Sequence, residues 1–247
     1  MINLKLIIAY DGTRYNGFQK QTLHPERTIQ GKLEHVLSRL FDKPIVLIAS
    51  GRTDSGVHAK GQVCNFQVET ELTPEEIANY LSTYLPTDIS VLQITTASLR
   101  FHSRYNAVKK RYCYTIDNHL FANPFTLRYA YHLKEPLDVT SMKEASKCLL
   151  GTHDFKSFTS LKSKKKSTVR TLYSIDFIEE DGLLKIYYEG DGFLQHMVRI
   201  LTGTLIEVGL GQRDPLSLVS LLEQKVRADA GMTAPPHGLT LEKVYYD

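Results

Sequence analysis

The nine residues GRTDSGVHA, positions 51–59, have types and spacing that could do chemistry. They hold one carboxylate, Asp54, with a cation two positions before it at Arg52 and a histidine four positions after it at His58. An ionised carboxylate can act as a covalent nucleophile. The segment therefore predicts a catalytic acid that is kept charged beside a cation.

Strand patterns on both sides of this segment are expected to hold it in place. The apolar run at 44–49 is typical of a buried strand, and the alternation at 62–68 of a half-exposed one. Loops held on rigid strands often carry functional residues. An ordinary polar turn is the alternative, because Asp-Ser-Gly is also common turn chemistry.

A second polar loop, YDGTRYNGFQ at 10–19, follows the predicted first strand. Its two glycines allow a tight backbone, while Arg14, Tyr15 and Gln19 offer a cation, a ring and an amide. This mixture suits single-stranded nucleic acid, where rings stack on bases and cations meet phosphates. A polar hairpin loop is the alternative.

Two later segments add rings and a cation. The segment FHSRYNAVKKRYCY at 101–114 interleaves basic and aromatic residues. Strand alternation places Tyr112 and Tyr114 on one face. A core role is the alternative for Tyr112, because buried tyrosines are common in cores. A long apolar helix is predicted from about Phe193 to Val208, with Arg199 in a hydrophobic surround. Because arginine is rarely buried unless paired, we expect a carboxylate partner for Arg199, and Asp54 is our hypothesis.

Composition favours a globular cytoplasmic protein. The chain has 247 residues, of which 42% are hydrophobic and 23% charged, and no apolar run approaches the ~20 residues that cross a bilayer. The three cysteines lack disulfide or zinc-ligand spacing, so neither a disulfide framework nor a structural zinc site is expected.

Basic residues exceed acidic ones by only 30 − 27 = 3, but they cluster at 100–111 and 162–170. Lys162 to Lys166 could contact phosphates, with a solvated loop as the alternative.

The order of elements predicts an α+β fold. The first hundred residues follow the pattern strand, helix, strand, strand, helix, strand, which is the split βαβ arrangement of ferredoxin-like folds. The second half repeats this order of elements, but its sequence patterns are less distinct. We therefore expect two ferredoxin-like halves, 1–100 and 101–247. They would be merged into one mixed, mainly antiparallel sheet with helices packed on it.

Taken together, the segments resemble the TruA family of tRNA pseudouridine synthases over essentially the whole chain. The matching segments, in order, are YDGTRYNGFQKQ, GRTDSGVHA, FHSRYNAVKKRYCY, GTHDFKSF, TVRTL, GDGFLQHMVRILTG and APPHGLTLEKVYY. Ser103 departs from the family pattern, which commonly has alanine there.

The resemblance implies an enzyme that isomerises uridine to pseudouridine at positions 38, 39 and 40 of the tRNA anticodon stem-loop. It also implies a central catalytic cleft between the two halves, and a homodimer without metal or cofactor. Asp54 matches the catalytic aspartate, Tyr112 the ring that packs on the target uracil, and Arg199 the cation that pairs with the aspartate. Arg52 matches a residue that takes the place of the flipped base. Further substrate-binding candidates in the matching segments are Arg14, Gln19, His58 and Leu239.

Several alternatives stay open. Asp54 could attack carbon 6 of the base, attack the anomeric carbon, or remove a ribose proton. The chain could instead be a non-catalytic RNA-binding module. It could also be a glycosidase with a carboxylate nucleophile, which would usually need a second facing carboxylate, for which Asp191 and Asp154 are candidates.

Overall fold

A computed structural model describes residues 1–161 and 167–247 of the chain. The lysine-rich segment from Lys162 to Lys166, predicted as a phosphate-contacting arm, lies outside the described residues. The described residues form ten β-strands and five α-helices, so the predicted α+β class is confirmed.

The strands are β1 Ile2–Tyr10, β2 Ile48–Ala49, β3 His58–Val68, β4 Ile89–Ala97, β5 Ala107–Asp117, β6 Tyr131–His132, β7 Gly151–Asp154, β8 Val169–Glu180, β9 Leu183–Gly190 and β10 Leu239–Tyr246. The helices are α1 Ile29–Phe41, α2 Pro74–Tyr84, α3 Val139–Ser146, α4 Met197–Gly209 and α5 Ser217–Gln224.

The chain divides into two compact units. Unit 1 comprises Met1–Val108 and Leu241–Asp247, and unit 2 comprises Lys109–Thr240. The predicted domain boundary between residues 100 and 101, the merged sheet and the central cleft stay predictions.

In unit 1, β1 lies between β4 and β3 and is antiparallel to both, while β2 pairs with β3. The predicted succession of strand, helix, strand, strand, helix, strand is confirmed. The predicted buried strand at 44–49 is shorter and more exposed than expected, because only Ile48–Ala49 pairs with β3 and Val46 is 70% exposed.

The sequence Thr73-Pro74-Glu75-Glu76 predicts a helix start with a capping box, and both helices of unit 1 are capped at their starts. The Thr28 hydroxyl accepts the Gly31 N–H at the start of α1, and the helix ends where Asp42 takes a left-handed conformation. At α2, Thr73 and Glu76 form a reciprocal capping box. The apolar faces of the helices and of β1 supply fully buried core residues: Leu4, Leu6, Ile8, Ile29, Leu33, Leu37, Ile77 and Leu81.

In unit 2, neighbouring strands follow the order β5-β9-β8-β7 and are antiparallel, and β6 adds to β5 in parallel. Glu180-Asp181-Gly182 lies between two strand patterns and predicts a hairpin. β8 and β9 form it, with Asp181 and Gly182 at φ 49° and 71°. The core of unit 2 includes fully buried aromatic side chains: Tyr114, Phe155, Phe158 and Tyr188.

The long apolar helix of unit 2 begins later than its pattern predicts. The expected start was near Phe193, whereas α4 begins at Met197. His196 has φ 62°, and a left-handed residue cannot continue a right-handed helix. Its Nδ1 lies 2.8 Å from the Ser160 hydroxyl, a contact between segments distant in sequence.

No α-helix in the described part of the chain is long and apolar enough to cross a membrane. Among residues 1–161 and 167–247, no group of three or more His, Cys, Asp or Glu side chains is arranged to hold a metal ion.

Candidate active site

Asp54 lies in a closed turn between β2 and β3. The Val57 N–H donates to the Asp54 carbonyl oxygen at 3.2 Å, and Gly56 provides the left-handed residue of the turn at φ 78°. Thr53 is buried and its hydroxyl lies 2.8 Å from the Tyr10 hydroxyl. The Asp54 side chain is half-buried and Arg52 is exposed, so the backbone is fixed while both side chains remain accessible.

Two glycines of the 10–19 loop pack directly on this turn. Gly17 has φ 93°, and a Cβ added there would lie 2.7 Å from the Thr53 carbonyl oxygen. A Cβ on Gly12 would overlap the Val57 carbonyl oxygen. The Phe18 N–H also donates to Thr53 O at 3.1 Å. The loop at 10–19 and the loop at 51–59 therefore interlock through backbone contacts that leave no room for a side chain.

Tyr15 joins the two loops to the start of β4. Its carbonyl oxygen accepts the Gly56 N–H at 3.3 Å and the Ser55 hydroxyl at 3.1 Å. Its phenol donates to Oδ1 of Asp88 at 2.5 Å. Burial, followed by this hydrogen bond to Asp88, raises the pKa of the Tyr15 phenol above its ordinary value, so the phenol stays a donor at neutral pH.

Asp88 anchors the 10–19 loop, and no signal in the sequence indicates this contact. Besides the Tyr15 phenol, it binds Arg14, whose Nε and Nη2 donate to Oδ2 at 3.1 and 2.6 Å. Its backbone carbonyl accepts the Asp11 N–H at 3.0 Å. Its position one residue before β4 is an ordinary turn position in the sequence, and only the fold brings it to the 10–19 loop.

The other predicted residues of unit 1 surround this pair of loops. Arg14 is exposed and bound by Asp88, and His58 is buried with its Nδ1 accepting the Gly12 N–H at 3.1 Å. The Gln19 amide donates to Gln30 Oε1 at 2.8 Å. Each side chain thus has a partner that fixes its position. Their roles in binding substrate stay predictions.

In unit 2, Tyr112 lies in the middle of β5 and is 7% exposed. The Phe193 ring meets it edge-on, with 5.1 Å between centroids and an angle of 79°. Tyr188 of β9 is its partner in the strand register. Phe193, in the loop between β9 and α4, therefore packs against the Tyr112 ring.

Arg199 lies in the first turn of α4, where a segment that precedes β10 holds it. Its Nε donates to the Ala234 carbonyl oxygen at 2.7 Å, and the Ala234 N–H donates back to the Arg199 carbonyl at 3.1 Å. The next carbonyl, that of Pro235, accepts the Tyr114 phenol at 2.9 Å. Burial raises the pKa of this phenol, against a smaller opposite effect of the charge on Arg199. Leu239 follows this segment as the first residue of β10 and is 5% exposed.

The structure thus gathers the predicted residues into two groups. Arg14, Gln19, Arg52, Asp54 and His58 lie on or beside the interlocked loops of unit 1. Arg199 and Leu239 flank the 234–238 segment of unit 2, and Tyr112 lies against Phe193. The pairing of Asp54 with Arg199 stays a prediction.

Comparison with known proteins identifies an RNA-modifying class. A family model described as tRNA pseudouridine synthase matches residues 6–106 and 145–247. A protein of Bacillus sp. (strain KSM-64) named tRNA pseudouridine synthase A is 47% identical over 100% of both chains. A Bacillus cereus (strain ZK / E33L) protein named tRNA pseudouridine synthase A 2 and a Clostridium tetani (strain Massachusetts / E88) protein named tRNA pseudouridine synthase A 1 are each 46% identical, again over 100% of both chains.

The chain belongs to the tRNA pseudouridine synthase family. The resemblance stated from the motifs, and the isomerase class that it implied, are confirmed. A solved structure described as "Crystal Structure of a Cbf5-Nop10-Gar1 Complex" matches 96% of this chain and 48% of its own, at 11% identity and a TM-score of 0.37. That score is too low to support an argument about this chain.

Proposed function

We propose that the chain isomerises uridine to pseudouridine at positions 38, 39 and 40 of the tRNA anticodon stem-loop, with Asp54 as the catalytic residue. The reaction breaks the bond from N1 of uracil to the ribose and forms a bond from carbon 5 to the same sugar carbon. The carbon 5 proton is released to solvent and N1 takes up a proton, so uridine and pseudouridine have the same composition. No electrons and no group are transferred to another molecule, so the reaction is balanced without a co-reactant.

The observation that carries this proposal is the fixed backbone around Asp54. The turn that holds it is closed by its own hydrogen bond and packed against Gly17, and Tyr15 ties it to Asp88. A catalytic group needs such support, because a misplacement of about 1 Å can cost roughly 100-fold in rate. Asp54 is also the single carboxylate of the GRTDSGVHA segment.

Arg199 is the proposed charge partner of Asp54. The bond from its Nε to Ala234 supports this role, because it fixes the plane of the guanidinium group before any substrate arrives. A cation close to a carboxylate favours the charged form that a nucleophile or base must have.

Tyr112 and Arg52 are the proposed contacts to the displaced base and to the gap that it leaves. Flipping a paired base out of a helix costs a few kcal/mol, which protein contacts must offset. The Tyr112 ring is ordered by Phe193, so little side-chain entropy would be lost when it packs on uracil. Arg52 is exposed on the same short loop as Asp54, and this supports a role in filling the gap.

We also propose that the enzyme works as a homodimer in the cytoplasm. Support comes from an apolar surface of the loop after β5, formed by Leu120, Phe121 and Phe125, which are 69%, 81% and 90% exposed. At roughly 150–250 Å² per aromatic side chain, Phe121 and Phe125 alone expose about 340 Å². That is about two fifths of the ~800 Å² per partner in a standard interface. Asp117 anchors the loop by accepting the Thr126 hydroxyl at 2.7 Å, so this surface is preformed.

A tritium-release assay tests the activity directly. Transfer RNA labelled at uracil carbon 5 should lose tritium to water in the presence of the enzyme, because the label leaves only when the new bond forms at that carbon. Binding without release would identify a non-catalytic RNA-binding module. Release of free base or sugar without tritium in water would identify a glycosidase.

A further inference from the structure

The segment that follows β4 presents a stacked pair of rings. His102 and Tyr105 lie with their ring centroids 4.2 Å apart and their planes at 29°. Tyr105 is 77% exposed, so the ring face turned away from His102 is open to solvent. A single exposed ring is common on protein surfaces. An exposed ring that is stacked on an ordered neighbouring ring is less common.

His102 is fixed by the turn that carries both rings. Its Nδ1 accepts the N–H groups of Arg104 and Tyr105 at 3.2 and 3.3 Å. Its own N–H donates to Asn106 Oδ1 at 2.7 Å, and its carbonyl accepts the Asn106 N–H at 3.0 Å. The supporting ring therefore belongs to a closed, hydrogen-bonded turn.

Ser103 anchors this turn in the core of unit 1. It is fully buried, and its hydroxyl donates to the Asn65 side chain at 2.5 Å and lies 2.9 Å from the Ile48 carbonyl. Its N–H donates to Asn65 Oδ1 at 2.9 Å, and its carbonyl accepts the Tyr246 phenol at 2.6 Å. The rings are thus held on the sheet in advance of any ligand.

Cations accompany the exposed ring. The guanidinium carbon of Arg104 lies 6.0 Å from the Tyr105 ring centroid, and Arg104 and Arg100 are both exposed. A rigid ring beside cations is the combination that binds single-stranded nucleic acid, because a base stacks on the ring while phosphates meet the cations. An apolar partner protein would gain nothing from the two arginines.

We propose that Tyr105, stacked on His102, is a binding site for an unpaired nucleobase of the RNA substrate, with Arg104 and Arg100 contacting the adjoining phosphates. This site rests on the proposed function and extends it.

The base bound at Tyr105 is a different nucleotide from the reacting uridine. Ser103 binds Asn65, whereas the Asp54 turn ends where β3 begins, near Ala59. Six residues along a strand span ~20 Å. One base cannot reach both places. The stacking site therefore strengthens the binding of the RNA and fixes its position on the protein, and it takes no part in the reaction.

The absence of tryptophan from the chain gives a direct test. The variant Tyr105→Trp contains a single tryptophan, which can also stack on a base. Titration with unmodified tRNA should quench its fluorescence saturably, at the same tRNA concentration at which the wild-type chain binds. The matched control is Tyr84→Trp, at a 50% exposed tyrosine on α2, and its fluorescence should stay unchanged.

A kinetic pair of variants completes the test. Tyr105→Ala should raise KM for tRNA at least about fivefold and leave kcat within about twofold, since stacking at a distance from the reaction is uniform binding. Tyr105→Phe should keep the wild-type KM. An unquenched Tyr105→Trp, an equal quench in Tyr84→Trp, or an unchanged KM in a folded Tyr105→Ala would each overturn the proposal. Tritium release by the wild-type chain is measured alongside. If it occurs, the three results above concern the stacking site alone. If it does not occur, the proposed function fails, and this site loses its basis with it.

Discussion

The α-carbon of Gly17 lies against the carbonyl oxygen of Thr53, so closely that a Cβ at Gly17 would come within 2.7 Å of it. Thr53 immediately precedes Asp54. The position of the proposed catalytic carboxylate therefore depends on a residue without a side chain in a different loop. Because Gly17 also has φ 93°, both its space and its backbone conformation favour glycine.

Gly17→Ala should lower activity more than stability. The left-handed backbone costs about 1–3 kcal/mol for a residue with a Cβ, and the clash with Thr53 must push the Asp54 turn aside. We expect kcat for pseudouridine formation to fall by about 100-fold or more, while the chain still folds. Steady-state kinetics and thermal unfolding of the same preparation measure both effects.

Gly211→Ala is the matched control for that variant. Gly211 has φ 68°, but nothing lies within 4 Å of a Cβ added there. It should lose stability through backbone strain alone and keep wild-type kcat. Equal losses of kcat in the two variants would contradict the role given to the contact between Gly17 and Thr53.

Tyr15→Phe should weaken the support of the Asp54 turn by removing the hydrogen bond to Asp88. A hydrogen bond to a charged group contributes about 1.5–3 kcal/mol, so the free energy of unfolding should fall by about that amount. Tyr84→Phe, at an exposed ring, is the control and should have the stability of the wild type.

The same pair of proteins makes a pH prediction. Burial and then the bond to Asp88 raise the pKa of the Tyr15 phenol above 10.0 in the folded state. The stabilisation is therefore complete below about pH 10 and is lost as the pH rises through the folded value. Urea unfolding measures the free energy of unfolding of both proteins. The amount by which the wild type exceeds Tyr15→Phe should be smaller at about pH 11 than at about pH 8. A difference that widens would contradict the assignment.

Replacement of Phe121 and Phe125 by serine should convert a dimer into monomers. Both rings are more than 80% exposed in the isolated chain, and their burial is the main apolar gain that an interface there could provide. Sedimentation velocity of the double variant should give the monomer mass, with the circular dichroism of the wild type. Leu23→Ser, at a residue that is 86% exposed in unit 1, should not change the mass. A wild-type chain that is already monomeric, or a double variant that stays dimeric, would exclude this surface.

Local features of the fold could be predicted from the sequence because neighbouring residues determine them. The capping box at Thr73 and Glu76, the glycine-containing turn between β8 and β9 and the periodic faces of α1 and α2 all depend on residues within a few positions of one another. The start of α4 was predicted four residues too early. The left-handed conformation of His196 accompanies a hydrogen bond to Ser160, which lies far away in the sequence.

The candidate site also has features that the sequence predicts and features that only the fold provides. The types of Asp54, Arg52 and Tyr112 could be read from the motifs, since side-chain chemistry is local information. The anchoring by Asp88 could not be predicted from the sequence, because 73 residues separate Asp88 from Tyr15. The pairing of β1 with β4 brings the two together. One partner of Arg199 in the structure is likewise a backbone carbonyl, that of Ala234, which no charge pattern indicates.

The measurement that tests the central claim most directly is pseudouridine formation by Asp54→Asn. The substitution keeps the shape of the side chain and removes its charge, and its matched control is Asp42→Asn, at an exposed left-handed position that asparagine also favours. We predict that Asp54→Asn binds tRNA as tightly as the wild type and releases no tritium from uracil carbon 5, while Asp42→Asn has full activity. Measurable turnover by a folded Asp54→Asn would contradict the proposal that this carboxylate does the chemistry.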